Sequence, residues 1–600
     1  MVFFDFRKYN SRIDMHIKNI KIENFRNFSN FNIDFKDGFQ TIIGENNIGK
    51  SNLFWALRLV LDKNLSYNSR NLQEKDFCDF EDLTIDSYIS ISIEFYGKNL
   101  AKFPNLHAIK TSNETLRITY VFIHKSKLIP TEEVFENIEI KDFQWRLFGG
   151  GNDFDIADIS TLSQINFSDV EGINLYYISG FRNINSDLAG STKSLLSEYC
   201  KSREDAEIEL GIVKDILAKS TDDLNNQEFM PEIAEALKTK NSEIAGEHFT
   251  FPISLGFLPN DDNEVWNQLK IFYNPKEGKN VPMNILGLGQ KNLLYLSLFL
   301  SKLINQQDDN EINLLLIEEP EAHLHPQLQK ILFSNLGVMK NTQVFMSSHS
   351  THIASDCDYK NLNVIYRNTK KIVKAFSPFI NEGANQKELR EQQLLKRYLD
   401  ATRSELFFSS AVILVEGVAE QFIIPEIAKK VFGVNLVEHN ISVIPIHSRY
   451  FDPFLRMFKD EDFELTCCAI IDGDAKEHED GNTTTAVANA KSFEVADRVK
   501  VFDGNETLEV DLFPSKTTNS EYLKKCFENL NHPISYANLM ATTENWNDEL
   551  LKRIDGTIKK GRFAQELSLL IDENFEIPKY LYDALQFIFT KNNIEIENES

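Results

Sequence analysis

The run Thr41–Ser51, TIIGENNIGKS, constrains the fold more than any other stretch of the chain. A short apolar segment enters a glycine turn of the form GxxxxGK[ST]. A second apolar segment, Asn52–Leu61, follows at helical spacing. Strand, loop and helix in that order belong to an α/β fold built on a parallel sheet. Gly44 and Gly49 let the backbone turn its N–H groups onto phosphate oxygens, with Asn46 and Asn47 between them. Lys50 is placed to reach the β- and γ-phosphates, the Ser51 hydroxyl to bind Mg2+, and Asn52 opens the helix. These residues are candidates for holding ATP with Mg2+.

Other segments supply the parts such a loop needs. Leu314–Ile317 is a continuous apolar run that ends in Glu318 and Glu319. It reads as a buried parallel strand, and ligands of open α/β sheets bind outside the C-terminal ends of such strands. Glu318 then takes the Mg2+ side, and Glu319 is the candidate general base for water attacking a γ-phosphate. Gly287 and Gly289 precede a strongly apolar helix, whose N-terminus suits an anion. A short strand, Gln343–Met346, ends in Ser347-Ser348-His349-Ser350, where His349 can hydrogen-bond a γ-phosphate.

The second half carries a different chemistry. The apolar strand Ala411–Val415 runs into Glu416-Gly417, with Glu420 one helical turn further on. Cys467–Ile471 is another strand, followed by Asp472-Gly473-Asp474. Thr507–Asp511 reads as one more strand and bears Glu509. Carboxylates clustered at strand ends suit hard cations such as Mg2+ or Mn2+.

Six hundred residues exceed one core, so two or three domains are expected. Residues 1–14 read as an N-terminal extension, and 15–186 and 251–385 as two parts of an ATPase domain. Between them 187–250 is densely charged at helical spacing, an insertion suited to dimerisation. A helical linker, 386–410, leads to a C-terminal domain, 411–600. The β-rich runs between residues 85 and 180, YISISIEFYG, RITYVFIH and INLYYISGF, are expected to extend the first sheet. A net charge of −26 argues against a surface that coats DNA nonspecifically, but not against a local basic groove or metal-screened carboxylates. Six cysteines without CxxC spacing point to a reducing compartment and no zinc site. No secretory signal or membrane span is apparent, so a cytoplasmic location is expected.

Several of these motifs together resemble a known family. Asn24-Phe25-Arg26-Asn27-Phe28, the GENNIGKS loop, EEPEAHLHP and SSHS look like the branch of ATP-binding-cassette ATPases that includes the structural-maintenance and RecF-like proteins. That resemblance implies a nucleotide-phosphate contact for Arg26. It also implies a head-to-head, ATP-dependent dimer, because the glycine signature acts in trans. The signature usually carries Ser where Gly287 stands, which would leave a backbone-only contact. The order strand-E-G-x-x-E then strand-D-x-D resembles the Toprim domain of topoisomerases, primases and related nucleases. An ATPase followed by Toprim resembles the OLD (overcoming lysogenization defect) family, a group that includes the ATPase of the Gabija anti-phage system. RSELFFSSAVILVEGVAEQFIIPEI and KKGRFAQEL are similar to that family as well.

The resemblance implies an α/β fold, an ABC-like ATPase with a helical insertion and a C-terminal Rossmann-like Toprim sheet. It implies that Glu416, Glu420, Asp472, Asp474 and Glu509 hold two divalent metals, Mg2+ or Mn2+. Lys560 would lie near the scissile phosphate, with Lys559 and Arg562 as adjacent alternatives. The implied activity is ATP-regulated DNA cleavage in anti-phage defence or DNA processing. The implied partners are DNA, a second copy of the chain and, for a Gabija-like protein, a helicase. The alternative is an ATPase clamp whose Toprim domain binds DNA or a partner without cutting. A topoisomerase or primase fits less well, since neither a tyrosine-bearing DNA gate nor a zinc ribbon is apparent.

Overall fold

The computed structural model describes residues 15–596, apart from 79–82, 99, 129–137, 152–153, 157–158, 160–161, 181–194, 204–228, 250, 258–268, 275–280, 307–310, 323, 337–341, 358–360, 369, 378–385, 387–389, 391–394, 396–398, 401, 449, 462, 474–484 and 543–544. The extension 1–14, Asp474, part of the linker 386–410 and much of the insertion 187–250 lie outside the described residues. The chain forms two compact units. The first is Met1–Ile43, Gly49–Cys357 and Asn361–Asn363; the second is Gly44–Ile48, Asp358–Lys360 and Val364–Ser600.

In the first unit, β1 (Met15–Phe25) and β2 (Phe28–Asp34) form a hairpin, followed by β3 (Phe39–Ile43) and helix α1 (Lys50–Leu61). Then come β4 (Tyr88–Gly97), β5 (Thr115–His124), β6 (Phe143–Gly149), β7 (Ser163–Ile165) and β8 (Ile173–Ile178). Helices α2 (Leu195–Lys201) and α3 (Phe229–Ala245) precede a small antiparallel sheet, β9 (Ile253–Phe257), β10 (Leu269–Tyr273) and β11 (Val281–Pro282). Helix α4 (Leu288–Gln306), β12 (Ile312–Glu318) and β13 (Thr342–Ser348) complete the parts that concern the site.

Two sheets result. One is antiparallel, in the order β2-β1-β4-β5-β6-β7. Its strands place Ile20, Ile22, Ile91, Ile93 and Ile118 in the core. The other contains β3, β13, β12 and β8 side by side and parallel. Every residue of β3, β12 and β13 is buried. A parallel strand covered on both faces needs apolar residues on both, which is why LLLI reads as a run and not as an alternation. Helix α1 packs against β4, β5 and β8 and buries most of its apolar residues. Gln343, fully buried, ties the sheets together: it accepts from the Ile17 N–H at 2.7 Å and donates to the carbonyls of Ile17 and Lys36.

Two expectations are sharpened here. Ile173–Ile178 joins the sheet of β3 and not that of β4 and β5, and pairs in parallel with β12, from Ile173 opposite Ile312 onward. Its partner lies far along the chain, a pairing that no local pattern encodes. Helix α4 begins at Leu288, so Gly289 sits in its first turn and only Gly287 precedes it. Leu196, Cys200, Ile233 and Leu237 of α2 and α3 share one buried cluster with Leu294 and Leu298 of α4. The described helices of the 187–250 segment therefore carry apolar faces into the core of the first unit.

The second unit begins with the antiparallel pair β14 (Leu362–Arg367) and β15 (Val373–Phe376). Its centre is a four-stranded parallel sheet of β16 (Ala411–Val415), β17 (Ile441–Pro445), β18 (Thr466–Ile471) and β19 (Val499–Asp503), in the order β17-β16-β18-β19. Helix α5 (Val418–Lys430) follows β16, and α6 (Leu508–Leu512) follows β19. Helix α7 (Lys560–Leu570) packs on α5, and α8 (Lys579–Lys591) on β18 and β19. Thr507–Asp511 is thus not a strand. Leu508, Val510 and Leu512 mimic strand alternation, yet all five residues of α6 are buried and close a single helical turn. Among the described residues no helix is long and apolar enough to cross a membrane. All six cysteines are free thiols.

Candidate functional sites

The first site lies where β12, β13 and α1 bring their ends together. Lys50, buried, places Nζ 3.1 Å from His349 Nδ1, and His349 Nε2 lies 2.8 Å from Glu319 Oε1. A lysine ammonium only donates, so Nδ1 accepts and the Nε2 proton goes to Glu319. Glu319 holds φ at 42°, a left-handed backbone that costs a side-chain-bearing residue free energy. Its N–H is tied to the Ser347 carbonyl on β13. Glu318, at the buried end of β12, accepts from the Tyr177 hydroxyl at 2.9 Å and from the Gly180 N–H at 3.3 Å. Burial, with Glu318 nearby, pushes the Tyr177 phenol above its ordinary range, so it stays a donor.

Arg26 sits in the β1–β2 turn at φ 52°. It donates to Asp76 at 2.9 Å and to Asn52 at 2.9 Å, and Asn52 donates to Asn27 at 2.7 Å. Gly49, at φ 117°, closes on this network: a Cβ there would stand 2.4 Å from Asn27 Nδ2. Gly44 lies at φ 151° and Asn47 at φ 60°, and Asn46 and Asn47 are exposed. A cleft of about 430 Å3 is bounded by Arg26, Ser51, Arg58, Tyr177, Glu318 and Glu319, among others. It joins the hydroxyl and both carboxylates singled out in the sequence. Gly287 is exposed, and a Cβ on it would touch nothing, so the chain sterically tolerates the signature's usual Ser.

Three residues of this site are not marked in the sequence. Asp76 partners Arg26, Tyr177 holds Glu318, and half-buried Glu321 accepts from the Ser348 hydroxyl at 2.6 Å and the His349 N–H at 3.0 Å. Burial pushes the Glu321 carboxyl up, against the pull of those bonds. A signal for Glu321 was present in EEPEAHLHP, where a third acid follows the strand end.

The second site lies at the C-terminal edge of the second unit's sheet. Strands β16 and β18 are parallel neighbours, so Glu416 and Asp472 leave them side by side. Glu416 Oε1 accepts from the Asp472 N–H at 2.9 Å, and Glu420 Oε2 from the Gly417 N–H at 3.1 Å. Asp472 Oδ1 in turn accepts from Leu508 N–H at the start of α6, 3.1 Å away. That bond sets Glu509 in the next position of the same helical turn. The loop after Asp472 is pressed against the one after β19: Gly473 N–H donates to the Glu506 carbonyl, and a Cβ on Gly473 would lie 2.1 Å from the Gly504 carbonyl. Only glycine fits there.

Lys560 Nζ lies 3.0 Å from Glu509 Oε2. Lys559 turns elsewhere, to the Asp555 carbonyl, and holds φ at 83° between a π-helical turn, Ile554–Ile558, and the start of α7. The strained step at Lys559 aims Lys560 at the acids. Burial lowers the Lys560 ammonium, while Glu509, Asp555 and Asp472 raise it, for a net rise. Burial, then Glu416, Glu420 and Glu509, pushes the Asp472 carboxyl up to about 9, with Lys560 opposing. Burial likewise raises Glu420.

The donor set suits a hard divalent cation: oxygens only, from carboxylates that repel one another without one. Among the described residues the buried Thr507 hydroxyl lacks a hydrogen-bond partner. Among the described residues, however, no three Asp, Glu, His or Cys side chains are arranged to share one ion, and Asp474 lies outside those residues.

The fold and the first site define a phosphate-loop ATPase, joined to a parallel-sheet domain with carboxylates at its strand ends. A family model described as an AAA ATPase domain matches residues 15–354, and one described as the TOPRIM domain of overcoming lysogenization defect protein-like chains matches 407–474. The chain belongs to the AAA ATPase domain family, and its second unit contains a segment similar to the OLD-like TOPRIM domain. It is 26% identical over 496 residues to Endonuclease GajA of Bacillus cereus strain HuB5-5, covering 68% of this chain and 70% of that one. It is 24% identical over 432 residues to Endonuclease GajA of Bacillus cereus strain VD045, covering 70% and 68%. An OLD nuclease of Thermus scotoductus is 25% identical over 172 residues, 28% of this chain and 32% of that one.

Proposed function

We propose that this chain is an ATP-hydrolysing, divalent-metal-dependent DNA endonuclease. The ATPase would comprise residues 15–186 and 251–385, and the nuclease domain residues 411–600. One observation carries the nuclease reading: Glu416, Glu420, Asp472 and the Glu509–Lys560 pair meet at one sheet edge. The names of the relatives, endonuclease and nuclease, support the same chemistry.

In this reading Glu416, Glu420, Asp472 and Glu509, with Asp474, hold the metal. A divalent ion bound there supplies an activated water and neutralises phosphate charge. The backbone bonds to Glu416, Glu420 and Asp472 fix the orientation of the carboxylates before any ligand arrives. Lys560 adds a positive charge where a scissile phosphate would lie. In the ATPase, Lys50 leaves His349 for the phosphates, which frees His349 and Glu319 together. Glu319 then serves as the base for the attacking water, and Glu318 and Ser51 hold Mg2+. The signature at Gly287 and Gly289 would meet the ATP of a second copy. A helicase partner and an anti-phage role rest on the Gabija resemblance alone.

A noncleaving clamp is the second reading, favoured by the absence of a closed three-ligand arrangement among the described residues. Nicking of supercoiled plasmid separates the two. The nuclease reading expects nicked or linear product with Mg2+ or Mn2+ and none in EDTA. Binding of plasmid without any product in either metal would leave the clamp.

A further inference from the structure

The acid cluster has a neighbour that the sequence did not mark. Tyr580 is the second residue of α8, the helix that packs on β18 and β19. Its ring lies against Gly504: a Cβ built there would stand 3.2 Å from Tyr580 Cζ and 2.4 Å from Asp511 Oδ2. The phenolic carbon and the Asp511 carboxylate therefore close on the same point beside the loop that holds Asp472. Although the ring is partly buried, the hydroxyl oxygen is fully enclosed and has no hydrogen-bond partner among the described residues. The charges that act on it are, in order, Asp511, Asp472, Glu420 and Glu509. Three of these four are proposed metal ligands.

An enclosed hydroxyl without a partner is unfavourable, and phenylalanine would fill the same space at no such cost. Asp511 is already engaged by the N–H groups of Asn505 and Glu506. Among the described residues nothing thus takes up the Tyr580 proton, while the electrostatic surroundings favour a donor. Such a donor, within the field of acids that suit a hydrated cation, matches the partners that ligand oxygens and their waters require.

We propose that Tyr580 is a positioning residue of the nuclease site. Its hydroxyl is held unpaired among carboxylates so that it can donate to a water carried in by a divalent cation. This rests on the metal-dependent reading above, and the test keeps the two apart.

The full chain, Tyr580→Phe and Asp472→Ala are compared for Mn2+ binding by calorimetry and for thermal unfolding in EDTA. The Mn2+ uptake lost in Asp472→Ala identifies the site. Tyr580→Phe should weaken that component by about 5- to 10-fold, the equivalent of one hydrogen bond. Its melting temperature in EDTA should match the unaltered chain within about 1 °C or exceed it, because no native bond is lost. Unchanged Mn2+ affinity in Tyr580→Phe overturns the proposal and leaves the metal site standing. A melting temperature in EDTA several degrees lower also overturns it, since the hydroxyl would then be making a structural bond. If Asp472→Ala binds Mn2+ as the unaltered chain does, the metal-site reading itself fails, and the role of Tyr580 with it.

Discussion

The two sites treat their charges in opposite ways. In the ATPase, opposite charges and donors meet within the protein: Arg26 with Asp76, His349 with Lys50 and Glu319, Tyr177 with Glu318. At the edge of the C-terminal sheet, like charges meet. Asp472 faces Glu416, Glu420 and Glu509, and is pushed up to about 9. Lys560 offsets only part of that repulsion. The difference teaches where each site obtains its order. The ATPase constellation is fixed by internal partners that a nucleotide must displace. The acid cluster is strained by its own composition, and a cation would relieve it.

The comparison breaks most directly at Asp472. In Asp472→Ala, plasmid cleavage should fall by at least ~100-fold, while ATP hydrolysis stays within about twofold, because the two sites use separate carboxylates. Equal loss of both activities would mean that the sites are not separable. Lys50→Ala is the mirror experiment. Its ATP turnover should drop ~100-fold with an unchanged far-ultraviolet circular-dichroism spectrum. Glu319→Gln should slow hydrolysis by a comparable ~100-fold yet retain nucleotide in equilibrium dialysis, because the base is lost and the phosphate loop is not. Loss of ATP binding in that variant would assign Glu319 a different task.

A smaller effect sharpens the assignment of the cation. Lys560→Met should reduce cleavage by ~10- to 100-fold, and Lys559→Met by much less, since only Lys560 reaches Glu509. The reverse order, measured on the same plasmid, would transfer the role to Lys559.

A separate effect, on stability, is one of pH. Asp472 titrates near 9 in the folded chain, and an unperturbed aspartate near 4. Between those values the folded state holds a proton that the unfolded chain has lost. The contribution is fully present below about pH 4 and is lost progressively as pH rises through about 9. In EDTA the melting temperature should therefore decline across that window, and the decline should be shallower in Asp472→Asn. Identical slopes for the two proteins would show that Asp472 is not the group that couples stability to pH.

What the sequence determined is what lies close together along the chain. TIIGENNIGKS, LLLIEE, AVILVEG and IIDGD are each a strand with the group it delivers, written within a dozen residues. Period and spacing suffice to read them, because buried parallel strands must be apolar on both faces and their ends must be polar. The same local reading misplaced LEVDL, where five buried residues carry strand-like alternation through one helical turn. It also did not tell the sheet of Ile173–Ile178, which is that of β3, from the sheet of the two runs before it.

Tertiary structure alone decided the partners. Arg26 finds Asp76, Tyr177 finds Glu318, Gln343 finds Ile17, and Lys560 rather than Lys559 finds Glu509. Tyr580 approaches the acids because α8 packs on β18 and β19, not because of any residue near it in sequence. The physical reason is the range of the interactions. Backbone periodicity is set by neighbours along the chain. A buried charge or hydroxyl is satisfied, or left unsatisfied, by whatever side chain the packing of distant elements brings within about 3 Å.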